Sequence, residues 1–275
     1  MLNWHQQYVH PNNIIFGITG DFEAKAMEAK LHQAFDSWRK GPDAKAPDIK
    51  FTEPKPGLYF VRKSDVNQSS IDMLDLGIER SNPDYFAVTV MNEMFGGSFS
   101  SRLFSHLRSG KGLAYSVGGG VGSGWDHPGV VNIQMQTKSA STVEGIQGLD
   151  EEIDGLLKNA ATPDELKRAK DDILNSFIFQ FDTPEKVLRE KMAYEFYHYP
   201  LDFLERYRSE VEKVTAEDVS RVARKYVHKE RMAVLVVGND TEFGNALSTL
   251  GPVQEVDITI PPPPASLMQQ GPGGE

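Results

Sequence analysis

Phe95-Gly96-Gly97-Ser98-Phe99-Ser100-Ser101-Arg102-Leu103-Phe104-Ser105-His106-Leu107-Arg108-Ser109-Gly110-Lys111-Gly112-Leu113-Ala114-Tyr115 is the most informative stretch of the chain. Gly96 and Gly97 stop a helix that opens at Asn82-Pro83, with Pro at its first position, and carries Phe86, Val90 and Met94 inward. Ser100 to Leu107 predicts a further short helix. Gly110-Lys111-Gly112 is a tight turn, and Leu113 to Val121 begins a strand. Such a turn brings Arg108 and Tyr115 toward one surface. A guanidinium with several donors beside a phenol with one suits recognition of a peptide carbonyl. The same two residues admit a plainer reading, in which Arg108 caps a helix C-terminus and Tyr115 is half-buried core.

Upstream lie two strand candidates, Leu58 to Arg62 and Ser69 to Ile78; downstream, Val130 to Thr137 follows through Gly122-Ser123-Gly124. Several helices come next. Thr162-Pro163-Asp164-Glu165 is a capping box with Pro at the first helical position, and Thr183-Pro184 opens another helix in the same way. A strand from Met232 to Gly238 and a last helix close the pattern. Strand pairs first and helices after predict an α+β fold, a mostly antiparallel sheet with helices packed on one face.

The chain also echoes itself. Tyr8-Val9-His10 precedes the apolar run Ile14 to Gly20, and Tyr226-Val227-His228 precedes Met232 to Gly238, at a constant offset of 218 residues. Each copy reads as helix end, turn, buried strand, Gly-containing turn, helix. In the later copy Thr215 caps the helix that ends at Tyr226, and Met1 corresponds to Val219, inside that helix. The expected organisation is therefore a remnant of a preceding homologous unit in 1–45, a Pro-rich linker in 46–56, a complete unit in 57–256 and a Pro/Gly-rich mobile tail in 257–275. An amphipathic helix over 22–38 and the strand Ile14 to Thr19 belong to the remnant. A strand without its sheet is an exposed edge, expected to pair with another copy or to dock on the complete unit.

Composition narrows the function. A formal net charge of −10 argues against a nucleic-acid surface. Absence of cysteine excludes disulfides and thiolate zinc sites, and fits a bacterial periplasm or cytoplasm equally. No stretch approaches the roughly 20 apolar residues of a membrane span. None of the seven histidines lies in His-Glu-x-x-His or His-x-x-Glu-His. Glu195 and His198 are spaced to share a helix face, a pair more often surface than metal site. The run Gly118-Gly119-Gly120-Val121-Gly122 does not match a dinucleotide fingerprint, and Gly110-Lys111-Gly112 lacks the rest of a P-loop. Glycines at a strand edge let another backbone come close, a partner strand or a docked peptide.

Gly96 to Phe104, with Leu107 to Val117, resembles the second domain of the inverzincin peptidases, the family of pitrilysin, insulin-degrading enzyme and the mitochondrial processing peptidase. The resemblance extends from Met1 to about Leu250. It implies a clam-shaped enzyme of similar α+β units, in which one unit carries a zinc helix and the opposing half an Arg and a Tyr seven residues apart. Here those are Arg108 and Tyr115, which would reach substrate in trans, Tyr115 donating to the carbonyl oxygen and Arg108 holding the backbone. Gly118, Gly119 and Gly120 would border the substrate strand. The resemblance implies no metal ligand and no cofactor in this chain, with zinc on a partner domain or subunit. The expected function is the substrate-binding, zinc-less portion of a zinc-dependent endopeptidase, inactive alone. Its expected partners are a peptide, a zinc-bearing homologue and a second copy as a homo-oligomer. A structural assembly subunit of the same fold and a peptide-binding module remain alternatives.

Overall fold

The computed structural model describes residues 1–45, 50–200 and 202–262. Residues 46–49 of the expected linker and 263–275 of the expected tail lie outside the described residues. Two helices, α1 (Leu2–Tyr8) and α2 (Ala24–Phe35), form an N-terminal arm, followed by strands β1 (Gly57–Arg62), β2 (Gln68–Leu76) and β3 (Ile78–Glu79). Helix α3 (Tyr85–Asn92) runs into a wide π turn over Glu93–Gly97, and a second π turn spans Phe104–Gly110. Strands β4 (Ala114–Val121), β5 (Ser123–Gly124) and β6 (Val130–Lys138) come next. Helices α4 (Thr142–Lys158), α5 (Pro163–Phe177), α6 (Pro184–Phe196), α7 (Phe203–Lys213) and α8 (Ala216–Tyr226) precede β7 (Ala233–Gly238) and β8 (Val253–Glu255).

Six strands form one sheet in the order β4-β6-β2-β7-β1-β8. The pairs β4–β6, β6–β2 and β2–β7 are antiparallel, whereas β7–β1 and β1–β8 are parallel. The sheet is thus mixed, and β7 returns from the helices into its middle. Alternation decides its two faces. Ile71 and Met73 of β2 and Val131, Ile133 and Met135 of β6 are buried, while Gln134, Gln136 and Lys138 on the other side of β6 are exposed. The buried row meets Val88 and Met91 of α3, Ile146, Leu149 and Ile153 of α4, and Val219 and Val222 of α8 in one core. Covering one face leaves the other free to meet a partner or ligand.

Charges pin the helical layer. Asp84, at the N-terminus of α3, is buried and accepts from Arg221 (2.6 Å), Lys225 (2.7 Å) and the Tyr226 hydroxyl (2.7 Å). Burial pushes its carboxyl up, but hydrogen bonds from Lys225, Tyr226 and Arg221 outweigh that and hold it at about 2. α3 begins at Tyr85, two residues after Pro83, because Asn82 first closes a turn by accepting from the Asp84 N–H through its side chain.

Two sequence expectations change. Among the described residues no α-helix follows β7: Gly244, Gly251 and Pro252 interrupt the segment, which makes short 3₁₀ turns and then β8 against β1. Ile14 to Thr19 pairs with no strand among the described residues. It lies on α6, the second of the two outcomes expected for it, where Gly17 fits so closely that a Cβ would stand 2.4 Å from Met192 Sδ and 3.0 Å from Leu188 Cδ1. α2 buries none of its residues, and Phe16, 59% exposed, packs its ring on Phe35 at 5.6 Å. The later copy of the echo makes β7, in the centre of a sheet, while the earlier copy makes only this extended arm.

Candidate functional site at the β4 edge

Strand β4 is an outer strand of the sheet, and the segment before it is held at both ends. Leu107 and Leu113 are buried, and the Leu113 N–H donates to the Leu107 carbonyl at 2.9 Å. The Lys111 N–H closes a tighter loop onto the His106 carbonyl at 2.8 Å. Gly112, with φ of 64°, makes the reversal in the left-handed region. His106 Nδ1 lies 2.8 Å from Glu152 and Lys111 Nζ 2.6 Å from Glu151, tying the turn to α4. Thr137 Oγ1 donates to the Leu113 carbonyl at 2.7 Å and fixes the entry into β4.

Tyr115 follows at a β-bulge. Ala114 pairs with Thr137 and Ser116 with Gln136, so Tyr115 opposes no residue of β6. Its side chain is 68% exposed, which removes the half-buried reading. A bulge at a sheet edge re-aims one side chain out of the alternation, and here the residue re-aimed is the phenol. Arg108 is also exposed, its guanidinium 4.8 Å over the Phe104 ring. Among the described residues it caps no helix carbonyl and pairs with no carboxylate. Arg108 shares a cleft of 230 Å³ with Phe104, Ser116 and the Gly96–Phe99 turn. The fold therefore brings Arg108 beside Ser116, next in sequence to Tyr115, at one end of the outer strand.

The three glycines serve packing here. Gly96 lies so close to β4 that a Cβ on it would stand 2.5 Å from the Gly119 carbonyl oxygen. Gly119 has φ of 125°, and a Cβ there would meet the Asn132 carbonyl oxygen at 2.0 Å. Gly120 admits Asn92, which accepts from the Val121 N–H and donates to the Val121 carbonyl, both at 2.9 Å. Gly118 faces the Gly96 carbonyl. Backbone crosses backbone along this strand, as the glycine run anticipates; the run lies within β4 and is not a connecting turn.

Sequence reading gave no role to three residues at the cleft and beneath it. Phe99 is 81% exposed and packs edge-on against Phe104 at 5.0 Å, a lone aromatic on a turn whose only signal was its exposure. Glu93 lies under Gly97 and burial pushes its carboxyl up, with Asp172 adding to the effect. Arg102 is buried and forks onto Glu165, Nε to Oε1 at 2.7 Å and Nη2 to Oε2 at 3.0 Å, anchoring the cleft floor to the capping box of α5. The Arg102 hydrogen bonds hold the Glu165 carboxyl at about 2, below its usual 4.5. A lowered folded value means the stabilisation is complete above the unfolded pKa and fades as pH falls from 4.5 toward 2. Glu165→Gln is expected to cost about 2–3 kcal/mol at pH 7 in urea unfolding, with the gap to the parent narrowing below pH ~4.

The donor set does not fit a metal. Among the described residues no three His, Asp or Glu side chains converge. His198 lies past the end of α6 with φ of 52°, so it does not share a helix face with Glu195. No helix among the described residues is long and apolar enough to cross a membrane.

Known proteins match this architecture. Over 237 residues the chain is 22% identical to an uncharacterized zinc protease of Bacillus subtilis, covering 84% of this chain and 56% of that protein. A non-peptidase homologue from Helicobacter pylori is 20% identical, with 83% and 52% covered. The chain spans about half the length of the curated relatives it matches. Among solved structures, a peptidase M16 inactive domain from Pseudomonas fluorescens superposes with a TM-score of 0.70 at 28% identity, covering 80% of this chain and 52% of that one. A protease from Helicobacter pylori shares the fold with a TM-score of 0.73 at 20% identity, covering 86% and 57%. A sequence model described as the peptidase M16 inactive domain matches residues 1–173, running through the N-terminal arm, the glycine turn, the Arg108–Tyr115 segment and β4. The chain belongs to the peptidase M16 inactive-domain family.

Proposed function

We propose that this chain is the substrate-binding side of a zinc endopeptidase whose metal is held by another domain or subunit. The observation that carries the proposal is the presentation of Tyr115. It stands exposed in a bulge at an outer strand, beside a cleft that holds an unpaired Arg108. Neither group is committed to a hydrogen bond or ion pair among the described residues, so both remain available to a bound peptide. In the proposed arrangement the Tyr115 hydroxyl donates to the scissile carbonyl oxygen as charge develops there. Arg108 donates to neighbouring backbone carbonyls and holds the peptide in place. Substrate backbone would lie along the free side of β4, the strand that Gly118 to Gly120 hold close against the Gly96 turn. This chain would contribute binding and oxyanion donors, and zinc held by the partner would supply the polarisation of the attacking water.

The test is reconstitution with a zinc-bearing M16 homologue. Substituting both Arg108→Ala and Tyr115→Phe is expected to abolish most of the restored peptidase activity while leaving complex formation intact. Full activity with both residues replaced would favour a second reading, a non-catalytic assembly subunit. That reading draws on the non-peptidase homologue of Helicobacter pylori and on a fold neighbour within complex III of Candida albicans, TM-score 0.69 at 16% identity.

A further inference from the structure

At the end of β4 away from Tyr115 lies a second cavity, of 580 Å³, which the peptidase reading does not use. Its floor is Arg80, just past β3, whose backbone N–H donates to the Gly124 carbonyl at 2.6 Å. Four rings face the guanidinium: Trp125 at 4.1 Å, Phe203 at 5.2 Å, Tyr85 at 5.4 Å and Tyr199 at 5.9 Å. Tyr197 lies flat on Trp125, centroids 5.0 Å apart and planes 8° from parallel. The connection from α6 to α7 brings Tyr197 and Tyr199 onto the same indole by turning at His198, whose left-handed backbone is uncommon outside glycine.

Most charged side chains lining the cavity have a polar partner. Arg206 pairs with Asp202 at 2.9 Å, Asp126 with His127 at 2.7 Å, and Glu210 with Lys213 at 2.7 Å. Arg80 pairs with no carboxylate among the described residues, and its Nε is buried without a hydrogen-bond partner. A guanidinium cannot escape this by losing its proton. Ring quadrupoles offset part of the lost hydration but leave the buried Nε–H without an acceptor. An aromatic-walled cavity that ends on an unpaired guanidinium offers an anion both a charge and a donor.

We propose that this cavity binds a monocarboxylate carried on an aromatic or apolar body. The planar fork of the guanidinium matches a carboxylate in shape and charge. The surrounding rings stack on, and remove water from, whatever carries that carboxylate. One free positive charge, flanked at the rim by Asp126 and Glu210, suits a monoanion better than a phosphate dianion. The proposal is independent of the peptidase reading, because it rests on other residues at the opposite end of β4.

The test is calorimetric titration of the full chain with N-acetyl-phenylalanine, its uncharged amide, and inorganic phosphate. The acid is expected to bind one to one and about tenfold or more tighter than the amide, with phosphate weaker than the acid. Arg80→Met, which keeps an unbranched apolar chain in the cage, should bring the acid down to the level of the amide, with a cooperative urea transition showing that the variant is folded. Arg80→Lys, which keeps a charge but loses the fork, should fall between. Tyr197→Ser, at the rim, should weaken acid and amide by a similar factor, and reads the aromatic contribution with the Arg80 cage left in place. Equal binding of acid and amide, phosphate binding tighter than the acid, or no acid binding up to about 10 mM would each overturn the proposal. So would an acid preference that persists in a folded Arg80→Met protein.

Discussion

Replacing Tyr115 by Phe is expected to lower turnover of the reconstituted peptidase about a hundredfold or more, with KM little changed and folding untouched. The hydroxyl makes no hydrogen bond among the described residues, and the side chain is largely exposed, so its removal breaks nothing in the fold. A donor aimed at a developing oxyanion contributes in the transition state more than in the ground state, so the loss falls on kcat. Arg108→Lys keeps the charge but loses the planar fork, and the expected signature is the reverse: a raised KM with a smaller change in kcat. A hundredfold loss in both variants on kcat alone would assign Arg108 to the chemistry and not to peptide binding.

The second large effect concerns stability. Gly119→Ala is expected to cost about 3 kcal/mol or more, read as a lower urea midpoint with an unchanged slope. Two penalties combine. The backbone at Gly119 is in a region that side chains rarely adopt, and the added Cβ would lie 2.0 Å from the Asn132 carbonyl oxygen, which is backbone held in the β4–β6 ladder. Neither neighbour can rotate away, so β4 itself must move. Because Tyr115 opens the same strand, the variant should lose peptidase activity with its fold, unlike Tyr115→Phe, which loses activity alone. Gly112→Ala offers a milder contrast: its φ of 64° is strained for Ala, but nothing lies within 4 Å of a Cβ there.

The layered α+β architecture was legible because alternation and helical spacing are local signals. β2 shows the alternation residue by residue, and the capping boxes at Thr162 and Thr215 form as their spacing predicts. The glycine run was legible as a place of close backbone approach, though not the partner backbone, which comes from Gly96. Where sequence reading missed, a non-local contact decided the outcome. The segment after β7 repeats a motif that precedes a helix in the arm, yet glycines and the free edge of β1 convert it into β8. Ile14 to Thr19 has the composition of a buried strand, but it packs on α6 and joins neither outer strand of the sheet. The parallel β7–β1–β8 pairs could not be read from patterning either, because period two is the same in parallel and antiparallel ladders.

Arg108 and Tyr115 were singled out through the family resemblance, and their exposure was not predictable from their spacing. The bulge that turns Tyr115 outward depends on a one-residue register shift against β6. The Arg102–Glu165 fork joins residues 63 apart, and no local pattern announces it. The Arg80 cage draws on the segment after β3, α3, the segment after β5, the α6–α7 connection and α7, places that become neighbours only in the folded chain.

The most direct test of the central claim is peptide cleavage by the purified chain in the presence of zinc, with and without a zinc-bearing M16 homologue. The expected result is no zinc-dependent cleavage by the chain alone and cleavage on addition of the partner, sensitive to Tyr115→Phe. Zinc-dependent cleavage by this chain alone would contradict the account.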